Sequence, residues 1–216
     1  IRHPSLLPKV ALVDPQLMLS MPPKVTAYTG IDALSHAVEC FTLVREHPFC
    51  DTLALQATKL IVENLPRAIK DGGDREARSN MALAAVMAGT AFEVGGLQFH
   101  AYAQALGAKY RGAHGLTCGI ALRAGLRQIV TTATAKLARM AWAFDIDTRG
   151  MSQEQAAAKA VDAATAFITA MGIPKITEVL PTTASDIPML KKETLETTGV
   201  PITPEMAEAV WQEIYR

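Results

Sequence analysis

The stretch Gly30-Ile-Asp-Ala-Leu-Ser-His-Ala-Val-Glu39 is the most informative part of this sequence. It lies within a predicted helix over residues 25–44, although Gly30 is a poor helix former. Asp32 and His36 are four residues apart, a spacing that stacks side chains on one face of a helix. Their neighbours are apolar, and a charge and an imidazole are costly to bury without a partner. A bound metal ion would satisfy both groups.

Two further histidines follow in His100-Ala-Tyr-Ala-Gln-Ala-Leu-Gly-Ala-Lys-Tyr-Arg-Gly-Ala-His114. His100 lies in a predicted helix over residues 97–109, and His114 lies in a predicted loop between glycines. Taken singly, a histidine bonded to a backbone carbonyl or an exposed histidine is the commoner explanation. Together with Asp32 and His36 they offer one carboxylate and three imidazoles. That set suits a divalent transition metal.

The whole-chain composition limits the kinds of partner. The 216 residues predict one domain or slightly more, and a 50% hydrophobic content is ample for a core. The 21 acidic and 21 basic residues cancel, and no basic run indicates nucleic acid or a membrane surface as partner. Three cysteines without C-x-x-C spacing, and no evident signal peptide or membrane-spanning run, favour the cytoplasm. Cys40, Cys50 and Cys118 are interpreted as ordinary buried thiols rather than metal ligands.

The N-terminal segment is predicted to differ from the rest. Residues 9–13 form a short β-rich apolar run that ends at Asp14-Pro15, which predicts one buried strand and a turn. A lone strand needs partners, so we expect its sheet in an α/β nucleotide-binding domain that precedes Ile1. Residues 1–24 are therefore predicted to be a strand and linker, and residues 25–216 an all-helical domain.

The remaining sequence predicts an all-α bundle of about eight helices. Asp51 is the predicted N-cap of a helix over residues 52–63, and Pro66 is expected to limit that helix or to start the next turn. Ser152 and Gln155 predict a capping box, and Thr203-Pro204 predicts the start of the last helix. The other predicted helices cover residues 75–92, 116–130 and 134–144.

Several motifs resemble the C-terminal domain of the iron-containing, or group III, alcohol dehydrogenase family, a helical domain like that of dehydroquinate synthase. The matching stretches occur in family order and are Ala11–Leu17, Leu19–Pro23, Thr29–Glu39, Asp51–Leu55, Ala88–Phe92, His100–Ala108 and His114-Gly115. The resemblance implies that the metal ligands are Asp32, His36, His100 and His114. It favours Fe²⁺, with Zn²⁺ as an alternative.

The same resemblance implies an enzyme that interconverts an alcohol and an aldehyde or ketone with NAD or NADP. The metal would act as a Lewis acid on the oxygen of a small substrate, and family members generally form homo-oligomers. No strand, glycine-rich loop and helix unit for a dinucleotide is evident in this sequence. We therefore expect the chain to bind metal, to lack most of the cofactor site and to be inactive as a dehydrogenase by itself.

Two departures from the family pattern concern the region around His100. Gln104 stands where the family usually has an active-site histidine, so it is the candidate catalytic residue, but an amide cannot titrate. One residue fewer separates Ala88-Gly89 from His100, which would rotate a continuous helix by about 100°. The Gly95-Gly96 break must absorb this rotation if His100 is to face the metal.

Other interpretations stay open at this point. A zinc enzyme similar to glycerol dehydrogenase shares the two-domain plan, and a helical module that binds metal without catalysis would explain Gln104. Glu39 lies on roughly the same helical side as Asp32 and His36. It is interpreted either as an acceptor for a ligating imidazole or as half of a simple salt bridge.

Overall fold

The structure is a computed structural model, and it describes residues 8–43 and 46–216. Within these ranges the chain is a bundle of ten α-helices, joined by short loops and three brief 3-10 helices. The α-helices are α1 Pro23–Leu43, α2 Pro48–Lys70, α3 Arg75–Gly95, α4 His100–Tyr110, α5 His114–Gln128, α6 Thr134–Met140, α7 Gln153–Ala170, α8 Ile176–Val179, α9 Ile187–Thr197 and α10 Pro204–Ile214. The 3-10 helices are Pro15–Met18, Ala141–Phe144 and Ala184–Asp186. The predicted all-α fold class is confirmed.

Helix α1 runs through the centre of the bundle and packs against α2, α3 and α5. Small residues let the helix axes come close together. A Cβ atom on Gly30 would lie 2.3 Å from a methyl group of Leu65 in α2. Because most of α1 is buried, the polar side chains that it carries must find partners on neighbouring helices.

Two helix starts follow the sequence signals closely. Ser152 and Gln155 form the predicted capping box at α7, with reciprocal bonds of 3.2 and 2.9 Å between side chain and backbone. Thr203 caps α10 by accepting from the backbone N–H of Met206 at 3.2 Å, and Pro204 occupies the first turn. Both predictions are confirmed because the signals are local.

The predicted start and stop of the second helix are wrong. Helix α2 begins at Pro48, where the His47 side chain accepts from a backbone N–H, so Asp51 lies inside the helix and not at its cap. The buried carboxylate of Asp51 accepts from Lys136 at 2.5 Å and from Arg139 at 3.0 Å. Pro66 does not end α2, because the helix continues to Lys70 with a buried face that packs against α1 and α3.

Residues 9–13 do not form a strand in the described structure, and their pairing with a sheet in a preceding domain stays a prediction. This segment is irregular, and the side chains of Val10 and Leu12 are 79% and 90% exposed. A strand exists only where another strand supplies backbone donors and acceptors. None of the described residues forms a strand.

The C-terminal part contains two helices that sequence patterns do not predict. Helices α8 and α9 lie between Gly172 and Thr203, a stretch for which the sequence analysis predicts no helix. Helix α9 packs against α4, the helix that carries His100, and against α10.

Among the helices of residues 8–43 and 46–216, none alone has both the length and the hydropathy to cross a membrane. Only α3 and α4 taken together pass that test, and their axes are bent by 105° at the break between them.

Removal of the Asp51 carboxylate is expected to destabilise the fold strongly. Asp51→Ala would leave the buried Lys136 ammonium without its acidic partner, and breaking a buried pair in this way costs about 3–5 kcal/mol. Urea unfolding followed by circular dichroism measures the change. The control is Asp147→Ala. Asp147 pairs with Arg149 at the surface, where the Arg149 side chain is 91% exposed, so removal of this pair should change the stability little. Equal unfolding midpoints for the two variants would contradict the role assigned to Asp51.

Candidate metal centre

The carboxylate of Asp32 is the point on which three histidines converge. Its Oδ1 lies 3.2 Å from Nε2 of His100, 3.6 Å from Nε2 of His114 and 4.0 Å from Nε2 of His36. Helix α1 supplies Asp32 and His36, while His100 and His114 are the first residues of α4 and α5. The structure therefore brings all four sequence-predicted ligands together. His114 is part of a helix and not of the predicted loop.

Two glycines allow these helix ends to meet at α1. Gly96 ends α3 with φ of 76°, a conformation that favours glycine, and the chain then turns so that α4 starts at His100. The expected break at Gly95-Gly96 is therefore present. Gly115 follows His114, and a Cβ atom there would lie 2.0 Å from the backbone oxygen of Tyr28. Only glycine lets α5 approach α1 this closely.

The orientation of His100 is fixed by Glu39, which is 1% exposed. Nδ1 of His100 donates to Oε1 of Glu39 at 2.7 Å. The other carboxylate oxygen accepts from the backbone N–H groups of Phe99 and His100, the latter at 3.2 Å. Because Nδ1 carries a proton bonded to Glu39, Nε2 is the nitrogen that faces Asp32 and could bind a metal.

His36 takes part in a different way from the other two histidines. Its ring stacks on the ring of His100, with the ring centroids 4.6 Å apart and an angle of 15° between the planes. It also stacks on the ring of Phe92, with the centroids 5.6 Å apart. Burial and the nearby charge of His100 lower the pKa of His36. The imidazole is therefore neutral near pH 7, the form that a metal ion requires.

Without metal, Asp32 and His100 form an ion pair. Burial opposes the ionisation of Asp32, but the hydrogen bond with His100 and the charges of the histidines outweigh it and lower the pKa of this carboxyl. Burial also opposes the charged form of His100, but hydrogen bonds with Asp32, Cys118 and Glu39 outweigh it and raise its pKa to about 12. A metal ion must therefore displace a proton from His100.

Cys118, which the sequence analysis interprets as an ordinary buried thiol, lies next to the candidate ligands. Its Sγ lies 3.5 Å from Nε2 of His114, and one ligand atom from each of Asp32, His100, His114 and Cys118 lies within 4.8 Å of all the others. Burial raises the pKa of the free thiol to about 12. Cys118 is four residues after His114, so the spacing would have revealed it if α5 had been predicted to begin at His114 and not at Leu116.

Gln104 lies one turn after His100 on α4 and is exposed. It borders a cavity of about 410 Å³ that is lined at one end by His100. The cavity is otherwise lined mainly by apolar and small residues, namely Phe92, Gly96, Leu97, Ala101, Thr197, Thr198, Gly199 and Val200. A groove of about 560 Å³ between α5, α7 and α10 contains none of the predicted ligands.

Comparison with protein families identifies the domain. Residues 26–215 match the model of the Fe-containing alcohol dehydrogenase family, C-terminal. The chain belongs to the iron-containing alcohol dehydrogenase family. The match covers all four candidate metal ligands and almost the whole helical bundle.

Similar proteins agree with this assignment. The long-chain-alcohol dehydrogenase 1 of Geobacillus thermodenitrificans is 39% identical over 81% of this chain and 45% of its own length. The NAD-dependent methanol dehydrogenase of Bacillus methanolicus is 35% identical over 93% of this chain and 53% of its own length. A crystal structure of 1,3-propanediol oxidoreductase superposes with a TM-score of 0.91 at 32% identity, covering 97% of this chain and 56% of that one. The chain thus spans about half the length of these relatives.

Close contact between α5 and α1 is expected to be necessary for stability. Gly115→Ala would force α5 away from Tyr28, and overpacking of this kind typically costs about 1–3 kcal/mol. Thermal unfolding measures the loss. Gly89→Ala is the matched control, since its added Cβ meets no atom within 4 Å and alanine favours a helix. A Gly115→Ala variant as stable as the control would show that the helices are not in tight contact here.

The metal-free chain is expected to lose stability as the pH rises. The pKa of His100 is raised by folding, so its contribution is fully present below about pH 6.5, its unfolded pKa. That contribution is lost progressively as the pH climbs toward the folded pKa of about 12. Urea unfolding at pH 7 and pH 9 measures the change. Between these two pH values the free energy of unfolding should fall more for the wild type than for His100→Gln. Parallel declines would mean that His100 is not held as a cation.

Proposed function

We propose that this chain holds a divalent metal ion for an enzyme that interconverts an alcohol and an aldehyde or ketone. Asp32, His100 and His114 form the core of the proposed site, and His36 completes the ligand set that the family resemblance implies. The observation that carries the proposal is the approach of imidazole nitrogens from three helices to a single oxygen of Asp32. The side chains of His100 and Asp32 are only 5% and 23% exposed, and burial of such polar groups is costly unless a partner binds them.

The donor set fits the proposed metal. Carboxylate and imidazole ligands bind Fe²⁺ and Zn²⁺ alike, so the family name is what favours iron. A metal ion bound here would act as a Lewis acid on the substrate oxygen.

The chain's own residues would prepare the site for that chemistry. Glu39 holds the tautomer of His100 through its bond to Nδ1. Asp32 provides the negative charge that offsets the cation. Gln104 borders the cavity next to His100, where its amide can donate to or accept from a substrate hydroxyl but cannot take its proton. Proton transfer must therefore use another group.

We further propose that the hydride carrier is NAD or NADP, because the related methanol dehydrogenase of Bacillus methanolicus is named as NAD-dependent. The cavity beside His100, about 410 Å³, suits a small alcohol or aldehyde. The three free, buried cysteines agree with a cytoplasmic location. A module that binds metal without catalysis stays a second candidate, because Gln104 cannot titrate.

Metal content tests the proposed site directly. The wild-type chain should retain about one equivalent of Zn²⁺ or Fe²⁺ after gel filtration, as a single mononuclear site requires. Asp32→Ala and His100→Ala should bind at least about 100-fold more weakly, because loss of even an outer partner costs about 10–100-fold. Mass spectrometry of the metal content measures both.

The control for this experiment is His47→Ala, which removes a histidine at the start of α2 and outside the site. It should keep the wild-type metal content. Full metal retention by Asp32→Ala and His100→Ala would contradict the proposed ligand set.

A further inference from the structure

The groove between α5, α7 and α10 has a volume of about 560 Å³ and is lined by both charged and apolar side chains. The charged side chains that line it in the described part of the chain are Arg123, Arg127, Lys175, Arg216, Glu178 and Glu213. Four basic and two acidic side chains leave the groove with an excess of two positive charges. We propose that this groove binds the phosphate group of a small organic phosphate.

The groove is separate from the metal centre. Helix α5 carries His114 at its first residue and Arg123 nine residues later. At a rise of 1.5 Å per residue, about 13 Å of helix lies between them. None of the four candidate metal ligands lines the groove, so binding of a phosphate here does not require a metal ion.

The guanidinium of Arg123 forms hydrogen bonds with neutral groups alone. Nη1 donates to the backbone oxygen of Ile173 at 3.1 Å and to the hydroxyl of Thr169 at 3.4 Å. Nη2 donates to the backbone oxygen of Pro174 at 2.9 Å. Burial and the nearby charge of Arg127 lower the pKa of Arg123. A bound anion would compensate the positive charge that these neutral acceptors leave in place.

One edge of the Arg123 guanidinium remains available for such an anion. Nε donates to no acceptor among the residues that the structure describes, and it is not one of their fully buried atoms without a partner, so it reaches solvent. Nε and the second proton of Nη2 form a parallel pair of donors. This fork matches two oxygens of a phosphate group, with which guanidinium groups form two hydrogen bonds at once.

Arg127 adds a second guanidinium one turn further along α5. The buried carboxylate of Glu213 lies 2.6 Å from Nη1 of Arg127 and 2.8 Å from Nη1 of Arg216. A single carboxylate therefore holds two guanidinium groups, and the three side chains together keep a positive charge. Like charges four residues apart on a helix repel each other. A dianion bound by both Arg123 and Arg127 would offset this repulsion.

The charge and the size of the groove favour an organic phosphate. A phosphate monoester carries a charge of about −1.5 to −2 at pH 7, which matches the excess of positive charge. Sites for small molecules usually have volumes of about 300–1,000 Å³, so the groove has room for more than a phosphate group. Ile120, Ala124 and Ile214 also line it and can contact the apolar part of the ligand.

Calorimetric titration with phenyl phosphate tests the proposal. The chain is first stripped of metal with a chelator, so that the phosphate cannot bind to a metal ion. The wild type should bind about one equivalent, and more tightly than it binds inorganic phosphate. Arg127→Gln should bind phenyl phosphate about 10-fold more weakly or worse, because it loses a hydrogen bond between charged groups.

The matched control is Arg149→Gln. It removes the same charge from an arginine that also pairs with a carboxylate, but whose side chain is 91% exposed and outside the groove. This variant should keep the wild-type affinity. Arg123→Gln should weaken binding as well. If it fails to fold, Arg127→Gln still decides, because the Arg127 side chain is 51% exposed and Glu213 keeps Arg216 as partner.

Three results would overturn the proposal. The first is no binding of phenyl phosphate to the wild type at millimolar concentration. The second is an affinity for phenyl phosphate no higher than that for inorganic phosphate. The third is an equal affinity in Arg127→Gln and Arg149→Gln, which would mean that the anion binds outside the groove. Since the titration uses metal-free chain, its outcome is independent of the proposed metal centre.

Discussion

The buried carboxylate of Glu39 is the interaction on which the site depends. It lies on α1, yet it accepts from the first backbone N–H groups of α4 and from the imidazole of His100. Those N–H groups have no partner within their own helix, and Phe99 at the N-cap provides no side-chain bond. One acidic side chain thus caps α4, joins it to α1 and aims His100 at Asp32. Loss of Glu39 would leave several buried polar groups unsatisfied at once.

The candidate metal site also requires that its helices pack closely together. Asp32, His100 and His114 come from three helices, and their short side chains can meet only where the backbones nearly touch. Gly115 meets this condition between α5 and α1, while Gly96 provides the positive φ that the turn toward α4 requires. The abundance of buried alanine in the core serves the same end, since small side chains permit short distances between helix axes. The site is therefore a consequence of the packing and not an addition to it.

Sequence reasoning succeeds here where the signal is local. The helix that carries Asp32 and His36, the capping box at Ser152 and the start of α10 follow from patterns within a few residues. It fails where distant partners decide. The Asp51 side chain is suited to capping, but its carboxylate instead pairs with Lys136, 85 residues later in the chain. The apolar run over residues 9–13 has strand composition but no strand to pair with in the described structure. Sequence reasoning does not separate Cys118 from the other buried thiols, because its contacts with Asp32 and the histidines are set by the fold.

The central claim is that Asp32, His100 and His114 hold one metal ion between three helices. Crystals of the chain grown with Zn²⁺, with diffraction recorded on both sides of the zinc absorption edge, test it most directly. The account predicts a single strong anomalous peak about 2.0–2.3 Å from Oδ1 of Asp32 and Nε2 of His100 and His114. An ordered, empty cluster of these side chains at saturating zinc, or a peak bound by other residues, would contradict it.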